Sequence, residues 1–187
     1  MADTFWSQGA TEPRRNFKFL LTIGTRDNII PLWVVKQVNL PKITVQEGSH
    51  KFLNHTFYFP GTIEYNIVSF TIVDAINVET SQKLLEGFVQ SGYNTPTNAA
   101  TAPEALLTKQ DSINGLGAVR ITQLGSGDDG SEGAINFILQ NAWIKDLEFG
   151  QSLSYDNQDP SEIKVELRYD FFEFEGNDGN KLRGFGA

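Results

Sequence analysis

A mainly β fold with one packed α-helix is predicted by three observations: an aromatic-rich composition, period-two alternation over most of the chain, and a single clean helical stripe. Aromatics make up 12% of the 187 residues, with 14 Phe against one Met, a bias that suits pleated, half-buried surfaces better than helix bundles. The hydrophobic share of 40% and charged share of 20% are ordinary for a globular chain and supply one sizeable core. One domain spanning 1–187 is therefore expected, with a polar N-terminal arm at 1–15, a long loop at 93–116 and a C-terminal tail at 176–187.

Phe17, Phe19, Leu21 and Ile23 alternate with Lys18 and Thr22, the mark of a half-buried strand, which Asp27-Asn28 turns. Residues 32–40 predict a second strand ended by Pro41. Residues 52–59 predict a third, closed by Pro60-Gly61. From Tyr65 to Val73 both faces are apolar, so this strand is expected to be covered on both sides.

The one helix signal follows: a cap at Asn77, a stripe of Leu84, Leu85, Phe88 and Val89, and a stop at Gly92. Residues 93–116 show no sustained period beyond a possible turn at Glu104 to Leu107, and a loop of that length is usually functional or mobile. Strands resume at 118–124, 134–141 and 143–149. In the last, Ile163 to Phe174, the apolar set Ile163, Val165, Leu167, Tyr169 and Phe171 gives way to Phe172 and Phe174. That parity shift predicts a bulge or a second buried contact.

Charge narrows the function classes. Lys+Arg total 15 and Asp+Glu 23, a formal net charge of -8, which disfavours binding to nucleic-acid phosphates or anionic lipid. Cysteine is absent, so disulfides and thiolate metal sites are not available. The start lacks the basic and apolar regions of a secretory signal. Every apolar run is far shorter than the roughly 20 residues that cross a bilayer, and no membrane span is expected.

Motifs of chemistry fail on context. Gly125 to Gly130 matches G-x-G-x-x-G, but no helix opens after it and Asp128 and Asp129 would repel a pyrophosphate. The same acidic loop, with Glu132, lacks the spacing that surrounds calcium with oxygens. His50 and His55, the two histidines, stand five apart, a spacing expected to place them on opposite faces of a strand, with no third metal ligand in sight. No G-x-S-x-G nucleophile elbow occurs. Glu173 and Glu175 could imitate a glycosidase pair, yet nothing nearby would raise one pKa. No catalytic, metal or cofactor residues are assigned.

Two blocks of residues carry a family resemblance. Leu40-Pro41, Val45-Gln46-Glu47, Pro60-Gly61, Thr71, Asp74 and the Leu84, Leu85, Phe88 helix come in one order. Trp143, Gly150, Leu153, Tyr155-Asp156, Leu167, Tyr169, Asp170 and Phe171 form the second. In this order and spacing the chain resembles the tail-tube proteins of contractile-tailed bacteriophages, the myovirus family related to contractile injection system inner-tube proteins. Ile144 departs from the family, where Pro is frequent, and the 93–131 region looks longer.

The resemblance implies a tail-tube-type β-barrel or sandwich with one packed helix and an extended hairpin loop, its strands joining an intersubunit barrel. It implies no enzyme and no cofactor, but a structural subunit that forms stacked hexameric rings, a conduit for DNA ejection into the host. Implied partners are copies of itself, the tail sheath, baseplate or tube-initiator proteins and terminator proteins, with phage DNA passing through without specific binding. The implied location is a virion tail assembled in the host bacterial cytoplasm. An inner-tube protein of a phage-derived injection or secretion system is the close alternative. A carbohydrate-binding β-sandwich, suggested by Trp6, Trp33 and Trp143, is the alternative of another class.

Within that reading, the strands at 32–40, 52–60, 118–124 and 134–141 are expected to form the lumen wall. Each pairs an apolar face with uncharged polar residues: Gln37 and Asn39, Asn54 and Thr56, Thr122, Asn136 and Gln140, with Arg120 the exception. A wall poor in cations would not grip phosphates. The hairpin loop Thr44, Val45, Gln46, Glu47, Gly48, Ser49, His50 and Lys51 is expected to contact the adjacent ring.

Overall fold

The computed structural model describes residues 14–24, 34–76, 80–93, 107–125, 133–150, 154–156, 158–176 and 181–183. The expectations placed on Trp6, Asp27-Asn28, Trp33, the Asn77 cap, most of the 93–116 loop, the acidic 126–132 loop, Leu153 and most of the 176–187 tail fall outside them.

The described elements run β1 (Phe19–Ile23), β2 (Val35–Val38), β3 (Ile43–Phe52), β4 (His55–Tyr65), β5 (Val68–Val73), α1 (Thr80–Gln90), α2 (Lys109–Leu116), β6 (Val119–Gln123), β7 (Ile135–Gln140), β8 (Trp143–Phe149), β9 (Glu162–Arg168), β10 (Phe171–Glu175) and β11 (Lys181–Arg183). They form a five-stranded sheet in the order β1-β6-β7-β10-β11, a four-stranded sheet in the order β2-β5-β9-β8, and the separate two-stranded pair β3-β4. Among the described residues every strand pairing is antiparallel.

Alternation explains the core. On β5, Val68, Phe70 and Ile72 stand opposite Leu167, Val165 and Ile163 of β9, and all six are at most 2% exposed. In the other sheet Leu21 and Ile23 stand opposite Ile121 and Val119. These residues from both sheets belong to one hydrophobic cluster, so the apolar faces of the two sheets meet and their polar faces point apart.

The parity shift near Phe171 has a larger cause than a bulge. The chain leaves the four-stranded sheet at Arg168, passes Tyr169-Asp170, and enters the five-stranded sheet at Phe171. Each half keeps its own alternation, and the junction brings Ile163, Val165, Leu167 and Tyr169 from one half and Phe172 from the other to the shared core.

The expected barrel is corrected. Among the described residues both sheets are open, with β1 and β11 at the edges of one and β2 and β8 at the edges of the other, and neither closes. Nor is the chain mainly β with one helix, because α2 lies in the segment expected to be loop, and the fold is mixed α/β. The strands grouped as one wall are also divided, β2 belonging to one sheet and β6 and β7 to the other.

Helix α1 buries Leu84, while Leu85 and Val89 of the expected stripe remain exposed. Helix α2 is polar and buries only Ser112 and Leu116. What holds it is local: the Thr108 side chain caps its start by accepting from the Asp111 amide, and Gly117 ends it at φ 74°, a conformation open to Gly. The helices meet at a seam of small residues, where Ser112 Oγ donates to Thr108 O at 2.9 Å and Ser91 Oγ to Gly87 O at 2.8 Å. The Tyr93 hydroxyl, stacked on Phe88, donates to Ile144 O of β8 at 3.0 Å, tying the helix pair to the four-stranded sheet.

Candidate assembly surface

The feature that distinguishes this molecule is the β3-β4 hairpin. Its strands of 10 and 11 residues span roughly 30 Å at ~3.3 Å per residue, and among the described residues they pair only with each other. An isolated two-stranded ribbon is marginally stable in water. This one also exposes Val45, Phe52, Leu53, Phe57, Tyr58, Phe59 and Ile63, an apolar display of the kind that marks an interaction surface.

The register departs from expectation. Residues 52–59 do not form one strand: Phe52 pairs with His55 across a tip made of Leu53 and Asn54. Leu53 sits at φ 54°, a left-handed conformation where Gly is the easy residue, with its side chain 79% exposed. Pro60-Gly61 does not close the strand but lies inside β4. The register shifts between Val45 and Glu47, so that Gln46 faces the two residues Gly61 and Thr62, a β-bulge. Thr44 to Lys51 is thus one strand of the hairpin and not its loop.

Opposed residues share a face, so the hairpin's two sides can be read off the pairing. His50 opposite Phe57 and Phe52 opposite His55 put both histidines on one side, contrary to the sequence expectation, because the chain reverses between them. The His55 and Phe57 rings lie 4.7 Å apart, edge to face. Among the described residues no group of three His, Cys, Asp or Glu could hold a metal ion.

The lumen-wall residues fall into three places. Arg120, Thr122, Asn136 and Gln140 share the outward face of the five-stranded sheet: Thr122 Oγ1 donates to Asn136 Oδ1 at 2.6 Å, and Asn136 Nδ2 to Glu175 Oε2 at 3.2 Å. Arg120 lies 3.8 Å from Glu175, so its charge is balanced in place. Gln37 and Asn39 lie along the opposite, four-stranded sheet, where Asn39 donates to Ser69 Oγ at 2.7 Å. Asn54 is at the hairpin tip, and Thr56 stands opposite Lys51 on β4.

The two outward faces differ in charge. The four-stranded sheet carries interlaced ion pairs, Lys36 with Glu162, Lys164 with Glu166 at 3.1 Å and Lys145 with Glu166 at 3.7 Å. The hydrogen bond that Lys36 donates to Glu162 raises the Lys36 pKa, and the one that Glu166 accepts from Lys164 lowers the Glu166 pKa. An open cleft of about 540 Å³ lies between the hairpin base and α2, lined in part by Tyr65, Trp143 and Tyr169. Lys109 and Asp170 close one side, Lys109 Nζ standing 2.7 Å from both Asp170 carboxylate oxygens. Sequence reasoning missed both α2 and the exposed aromatics of β4. Thr108-x-x-Asp111 before the helix and Gly117 after it are the signals that reveal α2.

This geometry recurs in solved structures. A chain in the 6-fold symmetrised baseplate of the anti-feeding prophage superposes with a TM-score of 0.62 at 11% identity, covering 89% of this chain and 98% of that one. A chain in the extended sheath-tube complex of an extracellular contractile injection system gives 0.59 at 14% identity, covering 94% and 99%. A chain in the tube-terminating cap of the anti-feeding prophage gives 0.57 at 14%, again covering 94% and 99%. The chain shares the fold of these contractile-machine chains. No family model and no curated protein matches the sequence. In the fold thus shared, two open sheets and a projecting hairpin are the parts available for contacts between molecules.

Proposed function

We propose that this chain is the repeating, non-catalytic subunit of the tube in a phage-related contractile injection or secretion machine, self-assembling into hexameric rings that stack. The observation that carries the reading is the near full-length likeness to chains of contractile-machine assemblies. Those chains come from an injection system and an anti-feeding prophage, which favours an injection apparatus over a DNA-ejecting tail. By the same likeness, sheath, baseplate and cap proteins are the expected partners, and the assembled apparatus is the place of action.

The physical support is the set of surfaces one copy leaves unsatisfied. Open sheet edges present unpaired backbone donors and acceptors, which natural proteins cover or pair, and the hairpin exposes apolar side chains on a ribbon too thin to bury them. Heterologous contacts that close give rings, and those that do not give filaments; a tube uses both. The outward face bearing Arg120, Thr122, Asn136 and Gln140 is the proposed lumen wall, because Arg120, the cation among these four, is matched by Glu175 rather than left free for phosphate.

The test places Thr122→Cys in a chain that has no native cysteine. A small maleimide is expected to label this variant in both dissociated and assembled protein. A maleimide on a polymer too wide for the lumen is expected to label the dissociated form alone. Equal labelling by the bulky reagent after assembly puts this face on the outside and sinks the wall assignment.

A further inference from the structure

The cleft between the hairpin base and α2 holds an imbalance of hydrogen-bonding groups. On its four-stranded-sheet side Trp143 of β8 stands opposite Arg168 of β9, so the two side chains share a face, and both line the cleft. Indole and guanidinium are donor-only groups. Among the described residues neither side chain donates a hydrogen bond, and Arg168 has only an ion pair, to Glu64 Oε1 at 3.7 Å, beyond hydrogen-bond reach. Glu64 accepts instead from Gln46 Nε2, at 3.2 Å through its other oxygen.

Other polar groups around the cleft are committed. Lys109 Nζ is spent on both Asp170 oxygens, Asp170 takes a further bond from Asn141 at 2.8 Å, and Ser112 Oγ donates to Thr108 O. Ile63, Tyr65 and Leu107 add apolar surface to the lining. At about 540 Å³ the space is of the size that holds small molecules, and apolar walls with a few convergent polar groups are what such sites use.

We infer that this cleft binds a monocarboxylate carried on an apolar body, with Arg168 taking the carboxylate and Tyr65 and Trp143 flanking the apolar part. A guanidinium with unspent donors matches a planar carboxylate through two parallel hydrogen bonds. The exposed Arg168–Glu64 pair is of a kind that contributes little, so a ligand carboxylate within hydrogen-bond range displaces it at small cost. A phosphate dianion is the poorer fit, because Glu64 and Asp170 border the same cleft and a second negative charge meets their repulsion. The site lies within one copy and stands whether or not copies assemble. A free organic acid and the terminal residue of a peptide both present this chemistry.

Isothermal titration calorimetry of the purified full-length protein separates these sources. It compares N-acetylphenylalanine with its amide, and the peptide acetyl-Gly-Gly-Phe with its C-terminal amide. Each acid is expected to bind on the order of tenfold or more tighter than its amide, the usual difference for hydrogen bonds to a charged group. Arg168→Gln is expected to remove that difference. Arg168→Lys is expected to keep part of it, since the charge remains and the fork does not. Glu64→Gln is expected to tighten both acids by freeing Arg168, a gain that a merely structural Glu64 would not give. Lys164→Gln, on the same sheet face but outside the cleft, is expected to bind like the parent, and circular dichroism melts confirm that each variant folds. Tighter binding of the peptide acid assigns the site to a chain terminus, and equal affinity assigns it to a free acid; either result supports it. Equal binding of acid and amide by the parent, weaker acid binding by Glu64→Gln, or no binding of either acid overturns it and leaves the tube reading standing. A parent that binds the acids but forms no rings keeps the site and sinks the tube reading.

Discussion

Gly115 and Ser91 touch backbone to backbone: a Cβ on Gly115 would stand 2.3 Å from Ser91 Oγ, 2.5 Å from its amide nitrogen and 2.6 Å from its Cα. Helix α2 has little apolar surface of its own, so this contact is what seats it against the end of α1. Gly115→Ala is expected to cost about 1–3 kcal/mol, the range for overpacking, in a urea titration. Gly87→Ala, whose Cβ would meet only Gly115 O at 4.0 Å, is expected to be neutral or to stabilise by up to about 1 kcal/mol, the usual gain from Gly to Ala in a helix.

Phe70 tests whether the two sheets unfold together. It is 2% exposed within the cluster the sheets share, and Phe70→Ala is expected to cost about 3–5 kcal/mol while keeping a single transition by far-UV and aromatic circular dichroism. Two separated transitions would contradict the single domain expected from the chain's length and composition.

Asp170 gives the acid limb of the stability profile. Burial alone would raise its carboxyl, but hydrogen bonds from Lys109 and Asn141 outweigh burial and hold its pKa below the ordinary value. A depressed carboxyl stabilises the fold above the unfolded pKa, near 3.9, and that contribution is lost as pH falls through the lower folded value. Asp170→Asn is expected to flatten this part of the acid-induced loss. Its cost at neutral pH is expected to stay below about 1 kcal/mol because the pair is partly solvated.

Tyr169 gives the alkaline limb. Burial pushes its pKa up to about 12. Its hydroxyl makes no hydrogen bond of normal geometry among the described residues, and the nearby Lys42 backbone favours the phenolate only slightly. A raised folded pKa means stability holds up to about pH 10, the unfolded tyrosine value, and falls as pH rises through about 12. Tyr169→Phe is expected to flatten that decline in melts taken between those limits.

Much of the fold was legible because burial imposes alternation. Leu21 and Ile23, or Ile163, Val165 and Leu167, could be assigned from period two alone, and the parity shift at Phe171 correctly marked a discontinuity. That it is a change of sheet lies in long-range pairing, Phe172 with Leu139, to which local pattern is blind. Pro60-Gly61 reads as a turn and Leu53-Asn54 does not, yet the chain reverses at the second, because a bulge accommodates the first within β4. Helix α2 escaped because its burial rests on Ser112 and Leu116 and its contacts on backbone proximity, which leave no hydrophobic stripe. For the assembly surface, the sequence pattern groups the candidate wall residues as one set, but β2 belongs to one sheet and β6 and β7 to the other. The exposed Phe57 and Phe59 look in sequence like core residues, since alternation does not say which molecule supplies the cover.

The most direct test of the account is electron microscopy of the purified full-length protein across a concentration series. Sixfold rings with a central opening, lengthening into stacks as concentration rises, are the predicted result. Solid, unstacked particles of one subunit's mass at every concentration would contradict it.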